Sequence, residues 1–166
     1  MNYNLIYYNN PILRKKCFNL KKNKKIKNIV KYMIYIMNIN NGIGIAAPQI
    51  GLNINLFICK NSIKNKYNIF YNSKIIKYFG ENIKKYEGCL SIPNIYEKIK
   101  RKKSIIIEYY NHNWKKKKKI YSGINSRIIQ HEYDHIKGIL FIDLLSTNKK
   151  KKIKKKLIKI NNKFNK

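Results

Sequence analysis

Residues 130–135 read Gln130-His131-Glu132-Tyr133-Asp134-His135. On a helix, side chains four apart share a face, so His131 and His135 point two imidazoles the same way, able to grip a metal ion, with Glu132 beside them. Ile124, Ile128, Ile129, Ile136 and Ile139 recur around the stretch at helical spacing and predict a buried helix, with Gly123 before it and Gly138 near its end. A catalytic site of the zinc type uses three protein ligands and leaves a fourth position for water. One protein ligand is therefore still to be found.

Elimination narrows the search. A thermolysin-like site takes its third ligand from a later glutamate, and no glutamate follows Glu132. The pattern H-E-x-x-H-x-x-G-x-x-H runs as far as Gly138, but Phe141 stands where its third histidine belongs and cannot ligate. Asp143, His112, Cys17, Cys59 and Cys89 remain. Cys89 stands out by its neighbours, Glu87-Gly88-Cys89-Leu90-Ser91-Ile92-Pro93, where a glycine lets backbone approach closely just before a thiol. A second unusual stretch lies upstream, Gly42-Ile43-Gly44-Ile45-Ala46-Ala47-Pro48-Gln49-Ile50-Gly51.

Both stretches stand against an extreme background of Lys, Asn, Ile and Tyr, the residues of AT-rich codons. Nearly every basic side chain is lysine, with Arg14, Arg101 and Arg127 the exceptions. The two alanines of the chain are Ala46 and Ala47, and its two glutamines are Gln49 and Gln130. Rare residues thus gather around the candidate site, which marks these segments as doing something the background residues do not.

The segments GIGIAAPQ, EGCLS and HEYDH, in this order and spacing, resemble the three motifs of the peptide deformylase family, G-x-G-x-A-A-x-Q, E-G-C-L-S and H-E-x-D-H. The likeness extends from Asn10-Pro11-Ile12-Leu13-Arg14 to Gly138-Ile139-Leu140-Phe141-Ile142-Asp143. It implies a hydrolase that removes the formyl group from the N-terminal formyl-methionine of nascent chains during translation, releasing formate. It further implies that Cys89, His131 and His135 hold one divalent metal ion, Fe(II) by the family's habit, with Zn, Ni or Co as alternatives. Glu132 is then the general base and later acid, and Gln49 and the Leu90 backbone N–H stabilise the oxyanion. Ile43 and Gly44 border an edge where an extended peptide pairs, and Ile43, Ile124 and Ile128 are candidates for the methionine pocket, with ordinary core packing as their competing explanation. Two departures are visible. Asn94-Ile95-Tyr96 replaces a stretch in which some members carry a substrate-contacting arginine, and Ser126 stands where alanine is usual.

The other polar residues have simpler expected roles. Asp134 holds a histidine ring or a backbone group, Asp143 belongs to a turn or ion pair, and His112 sits at a solvated hairpin tip. Glu87 either pairs with Arg127 or orders the Cys89 segment. Cys17 and Cys59 are expected to be buried or incidental thiols, and an odd cysteine count argues for a reducing compartment.

A length of 166 residues suits one domain: residues 1–147 as the catalytic unit and 148–166 as a lysine-rich C-terminal helix or tail of the same domain. No apolar run is long enough to cross a membrane, and the opening residues do not read as a signal peptide, so the expected location is the cytoplasm. Periodicity predicts a first helix from about Ile26 to Asn40, closing at Asn41-Gly42. Strands are expected at Asn55–Cys59 and Ile69–Ile76, and a hairpin of Ser104–Tyr110 with Lys118–Tyr121 around Asn111-His112-Asn113. Strands followed by the metal helix imply an α+β fold, strands packing around that central helix, with a further helix from about Asn148.

The 38 basic and 7 acidic side chains give a net charge of +31. Either this surface attracts RNA phosphates, with the C-terminal segment a candidate contact to the ribosome and its rRNA, or it records codon drift. Three function classes stay open: a formyl-methionine amide hydrolase, a metallopeptidase, and a basic RNA-binding protein with a degenerate site.

Overall fold

The computed structural model describes residues 4–61 and 66–164. Along the chain run α1 (Ile26–Ile39), β1 (Gly44–Ala46), β2 (Leu56–Asn61), β3 (Lys66–Cys89), β4 (Ile92–Tyr110), β5 (Lys116–Ser122), α2 (Gly123–Ile136) and α3 (Thr147–Phe164). Short 3-10 turns at Pro11–Arg14, Ala47–Ile50 and Phe141–Leu144 join them. The strands form one antiparallel sheet in the order β1-β2-β3-β4-β5. The architecture is α+β, as expected.

The first helix follows its sequence pattern. Ile26, Val30, Met33, Ile36 and Met37 are buried along one stripe of α1, which packs on β1 and β2. At its end the left-handed residue is Asn41, with φ +54°, while the Gly42 N–H returns to the Met37 carbonyl at 2.8 Å. Gly42 is needed for space: a Cβ there would lie 2.9 Å from Leu90 Cδ1.

The sheet differs most from expectation in β3 and β4. The predicted strand Ile69–Ile76 continues to Cys89, and β4 begins at Ile92 rather than Ser104. Residues 76–86 carry mostly exposed, lysine-rich positions with no apolar alternation. Backbone pairing with β4 holds them, and that pairing is invisible to a local pattern. Register shifts at Tyr71/Lys74, Ile75/Lys77, Phe79/Asn82 and Glu87/Cys89 let this long hairpin bend. Its turn is Leu90-Ser91. At the sheet edge, Lys116–Lys119 of β5 discourage pairing with another chain.

Helix α2 packs against β1, β2 and β4. Ile128, Ile129, Tyr133 and Ile136 enter a core with Phe57, Phe70, Ile105, Ile107 and Tyr109. Ile124 and Ile139 depart from the predicted buried helix. Ile124 is half exposed at the N-terminal turn, and Ile139 lies beyond the helix end with 37% exposure. Gly138, at φ +76°, ends the helix where a Cβ would meet the Arg14 carbonyl oxygen at 2.4 Å.

Helix α3 is packed rather than a loose tail. Ile153, Leu157 and Ile160 are buried against Ile92, Ile95, Ile99, Leu140, Phe141, Ile142 and Leu145, leaving lysines outward; residues 165 and 166 of the predicted helix or tail lie outside the described residues. Among the described residues no helix is long and apolar enough to cross a membrane.

Candidate active site

Three elements converge on one point. The β3–β4 turn brings Cys89 to the strand end, where it pairs with Ile92 across the Leu90-Ser91 turn. Helix α2 presents His131 and His135 four residues apart, their ring centroids separated by 5.1 Å. One ligand atom from each of Cys89, His131 and His135 falls within 4.8 Å of the others, and Cys89 Sγ lies 3.2 Å from His135 Nε2. The 3-10 turn after β1 supplies Gln49, whose amide orientation is decided by its partners: its oxygen accepts the Ala46 N–H at 2.8 Å. The amide nitrogen is thereby turned toward Ser91 Oγ at 3.1 Å and Cys89 Sγ at 3.5 Å. Leu90 occupies the turn beside them and lines the same cavity.

Glu87 organises the floor. Arg101 donates to both of its carboxylate oxygens, at 3.0 and 2.9 Å, and Arg127 donates at 2.6 Å. His131 Nδ1 lies 3.1 Å from Glu87 Oε2, which leaves Nε2 for the site. Burial alone would raise the Glu87 carboxyl, but the hydrogen bonds from His131 and Arg101 bring it down to about 2. Of the two expectations for Glu87, pairing with Arg127 is the one met, and the same carboxylate also holds Arg101 and His131. Arg101 was not anticipated; the signal was its rarity among lysines. A planar guanidinium can serve two carboxylates at once, and its Nη1 also reaches Asp134 at 2.5 Å. Asp134 accordingly grips Arg101 instead of the histidine ring or backbone group expected of it.

Glu132 is 4% exposed and sits against the backbone of β1, where a Cβ on Gly44 would fall 2.3 Å from its Oε1. Only a glycine permits that approach. Its Oε2 is buried without a hydrogen-bond partner among the described residues. Burial pushes the carboxyl up to about 7, against the pull of His131.

The site opens into a cavity of about 570 Å³. Ile43, Gly44, Ile124 and Ile128 all line it. Ile43 and Ile124 are 53% and 49% exposed, so ordinary core packing does not explain them, whereas Ile128, at 6%, serves both core and cavity. Tyr96, in the segment that departs from the family pattern, also lines the cavity. Its ring lies over Gly88, where a Cβ would come within 2.5 Å.

The eliminated ligand candidates lie elsewhere. Asp143 pairs with Arg14 at 2.5 Å and accepts the Leu140 N–H, serving both ion pair and turn. His112 is exposed at the β4–β5 tip. Burial pushes Cys17 up to about 12 and Cys59 well above the usual thiol range, as suits inert thiols. The Ser126 hydroxyl accepts from Gln130 Nε2 at 3.0 Å, so the departure from alanine adds a local bond.

One thiol, two imidazoles and a partnerless buried carboxylate oxygen fit a divalent ion with nitrogen and sulfur preference. Such a donor set suits zinc, iron, nickel or cobalt and disfavours magnesium and calcium.

Comparison with known proteins agrees with this geometry. The family model described as polypeptide deformylase matches residues 2–151. A peptide deformylase of Karelsulcia muelleri (strain GWSS) is 54% identical, the match covering 84% of this chain and 76% of the relative. One from Christiangramia forsetii is 40% identical over 94% of this chain and 88% of the relative. Among solved structures, a Plasmodium falciparum peptide deformylase superposes with a TM-score of 0.91 at 36% identity, covering 98% of this chain and 97% of the other.

Proposed function

The chain belongs to the polypeptide deformylase family and removes the formyl group from the N-terminal formyl-methionine of newly made proteins; we propose that Cys89, His131 and His135 hold one divalent ion for this reaction and that Glu132 moves its protons. The observation that carries this reading is the convergence of the three donors beside a buried carboxylate whose Oε2 has no partner. The chemistry such an ion supplies is Lewis-acid activation of water and of the formyl carbonyl.

The chain's own residues do the rest. Glu132 takes the proton of the attacking water and returns it to the departing amide nitrogen, so the C–N bond breaks and formate and a free methionine amine leave. The Gln49 Nε2 and the Leu90 backbone N–H donate to the oxyanion. With its side-chain Oε1 taken by the Ala46 N–H, Gln49 has only its NH2 to offer there. One such donor contributes about 2.7–4 kcal/mol to transition-state stabilisation. Because β1 is an edge strand, Ile43 and Gly44 border a free backbone edge where an extended substrate adds a strand. The half-exposed Ile43 and Ile124 with Ile128 form the methionine pocket. Helix α2 is the central metal-binding helix of the strand framework, and residues 148–166 belong with 1–147 in one domain, as the buried stripe of α3 supports.

Ferrous iron is the proposed ion, with Zn, Ni or Co able to occupy the same donors. Protein purified without oxygen and supplied with Fe(II) is expected to release formate from a formyl-methionyl peptide and to lose that activity on chelation. No release from a folded, metal-loaded sample would overturn the reading. Internal cutting of an unformylated peptide would indicate a metallopeptidase.

Location and docking follow the charge and the thiols. A cytoplasmic site of action accords with three unpaired cysteines. The lysine face of α3 is the proposed contact to ribosomal RNA. Replacing the exposed Lys152, Lys155 and Lys156 by glutamate is expected to weaken co-sedimentation with ribosomes and to flatten its salt dependence. Unchanged sedimentation would assign the charge to drift.

A further inference from the structure

Two rings that the chemistry above does not use line the same cavity as Cys89 and Glu132: Tyr7, near the N-terminal end of the described chain, and Phe164, at the end of α3. They stack on each other with centroids 3.9 Å apart and planes 16° from parallel. Both are held in place. The Ile6 N–H donates to the Gln49 carbonyl and the Tyr8 N–H to the Ser91 carbonyl, each at 2.8 Å, fixing the segment around Tyr7 to the two turns that bear the oxyanion donors. Phe164 ends a helix anchored by the buried Ile153, Leu157 and Ile160, yet keeps 36% of its own surface exposed.

Charge distribution adds an independent argument. Of the chain's 35 lysines, none lines the cavity among the described residues. The guanidinium of Arg127 is occupied by Glu87 and by the Ile99 and Ile83 carbonyls, and Tyr96 stands in the segment where a substrate-contacting arginine would offer charge. Lys163 Nζ sits 5.1 Å over the Phe164 ring from outside the cavity lining, and among the described residues the lining itself offers an occupant apolar and aromatic contact rather than a free cation.

We propose that the Tyr7–Phe164 stack is a specificity-determining subsite that takes an apolar or aromatic side chain of the substrate downstream of its methionine, which makes α3 part of the substrate site. The proposal rests on the deformylase reading of the cavity and adds a contact to it. An aromatic side chain packed on this stack gains edge or face contacts that alanine cannot make.

Kinetics of the full, metal-loaded chain test this with formyl-Met-Phe-Ala, formyl-Met-Ala-Phe and formyl-Met-Ala-Ala. Wild type is expected to favour one phenylalanine peptide over the alanine peptide. Phe164→Ala is expected to raise KM for that peptide roughly tenfold, with kcat unchanged and formyl-Met-Ala-Ala within about twofold. Tyr7→Ala should behave alike, while Phe164→Trp and Tyr7→Phe, which keep a stacked pair, should restore the preference. Equal losses on all three peptides, a fall in kcat, or no change in KM would overturn the subsite. Absence of formate release by wild type from any peptide would instead overturn the deformylase reading itself.

Discussion

Replacing Glu132 by alanine is expected to lower kcat by about 10³- to 10⁴-fold, near the upper end of what a positioned acid and base contributes, while metal content stays at one ion per chain. Two proposed functions, holding the ion and moving the proton, sit one residue apart at His131 and Glu132. Cys89, His131 and His135 are untouched by the substitution, so the proposed ion keeps its donors, whereas the carboxylate proposed to shuttle the proton is gone. The fold should tolerate the change. Glu132 Oε2 is buried without a hydrogen bond among the described residues, so removing the carboxylate relieves an unsatisfied polar atom. A melting temperature equal to or above that of wild type, together with lost turnover, is the signature of a residue kept for chemistry at a cost to stability. Formate release and elemental analysis of the purified variant measure both halves. Retained activity would remove Glu132 from the mechanism, and loss of the ion would make it part of the metal-holding set.

Glu87→Ala is expected to have the largest effect on stability. Its carboxylate is 7% exposed and holds Arg101, Arg127 and His131 at once. Truncating it leaves two buried guanidinium groups without their main countercharge, a change that typically costs about 3–5 kcal/mol. For a chain of this size that corresponds to a melting temperature lower by roughly 10 °C or more. A second consequence should appear at the site. Without Glu87 to accept from Nδ1, the His131 ring loses the contact that aims Nε2 at Cys89, and metal affinity should fall by about 10- to 100-fold. Thermal unfolding and competition with a chelator test the two effects separately. An unchanged melting temperature would show that Arg101 and Arg127 find other partners.

Legibility in the sequence varied with how local each cause is. The α1 stripe, the buried side of α2 and the packed stripe of α3 repeat at helical spacing, so the interactions that stabilise them are written within one or two turns. The long β3–β4 hairpin was not legible beyond Ile76. Its distal half is held by a backbone ladder to the facing strand, from Lys77 with Ile106 to Glu87 with Glu97, and lysines at exposed positions carry no alternation. Glu87-Gly88-Cys89 is the end of that strand, and the partner strand begins three residues later, at Ile92.

Composition made the site legible for a different reason. In a chain built from so few residue types, Gln49, the Ala46-Ala47 pair and the His131 and His135 pair stand out because lysine, asparagine and isoleucine supply neither an imidazole, nor the reach of a glutamine amide, nor so small a side chain. The same logic applies to Arg101, whose rarity signalled a role that no local pattern could specify. Its three carboxylate contacts join β3, β4 and α2.

The sequence by itself therefore determined the chemistry of the site, since the identities and order of a thiol, two imidazoles, a glutamate and a glutamine limit what can be bound and moved there. The family likeness and the α+β class follow from the same residues. Only the tertiary structure decided which charges neutralise one another and which residues wall the cavity. Glu87 meets Arg101, Arg127 and His131, and Tyr7 meets Phe164 across almost the whole chain, because packing brings distant segments together and residue patterning constrains only near neighbours.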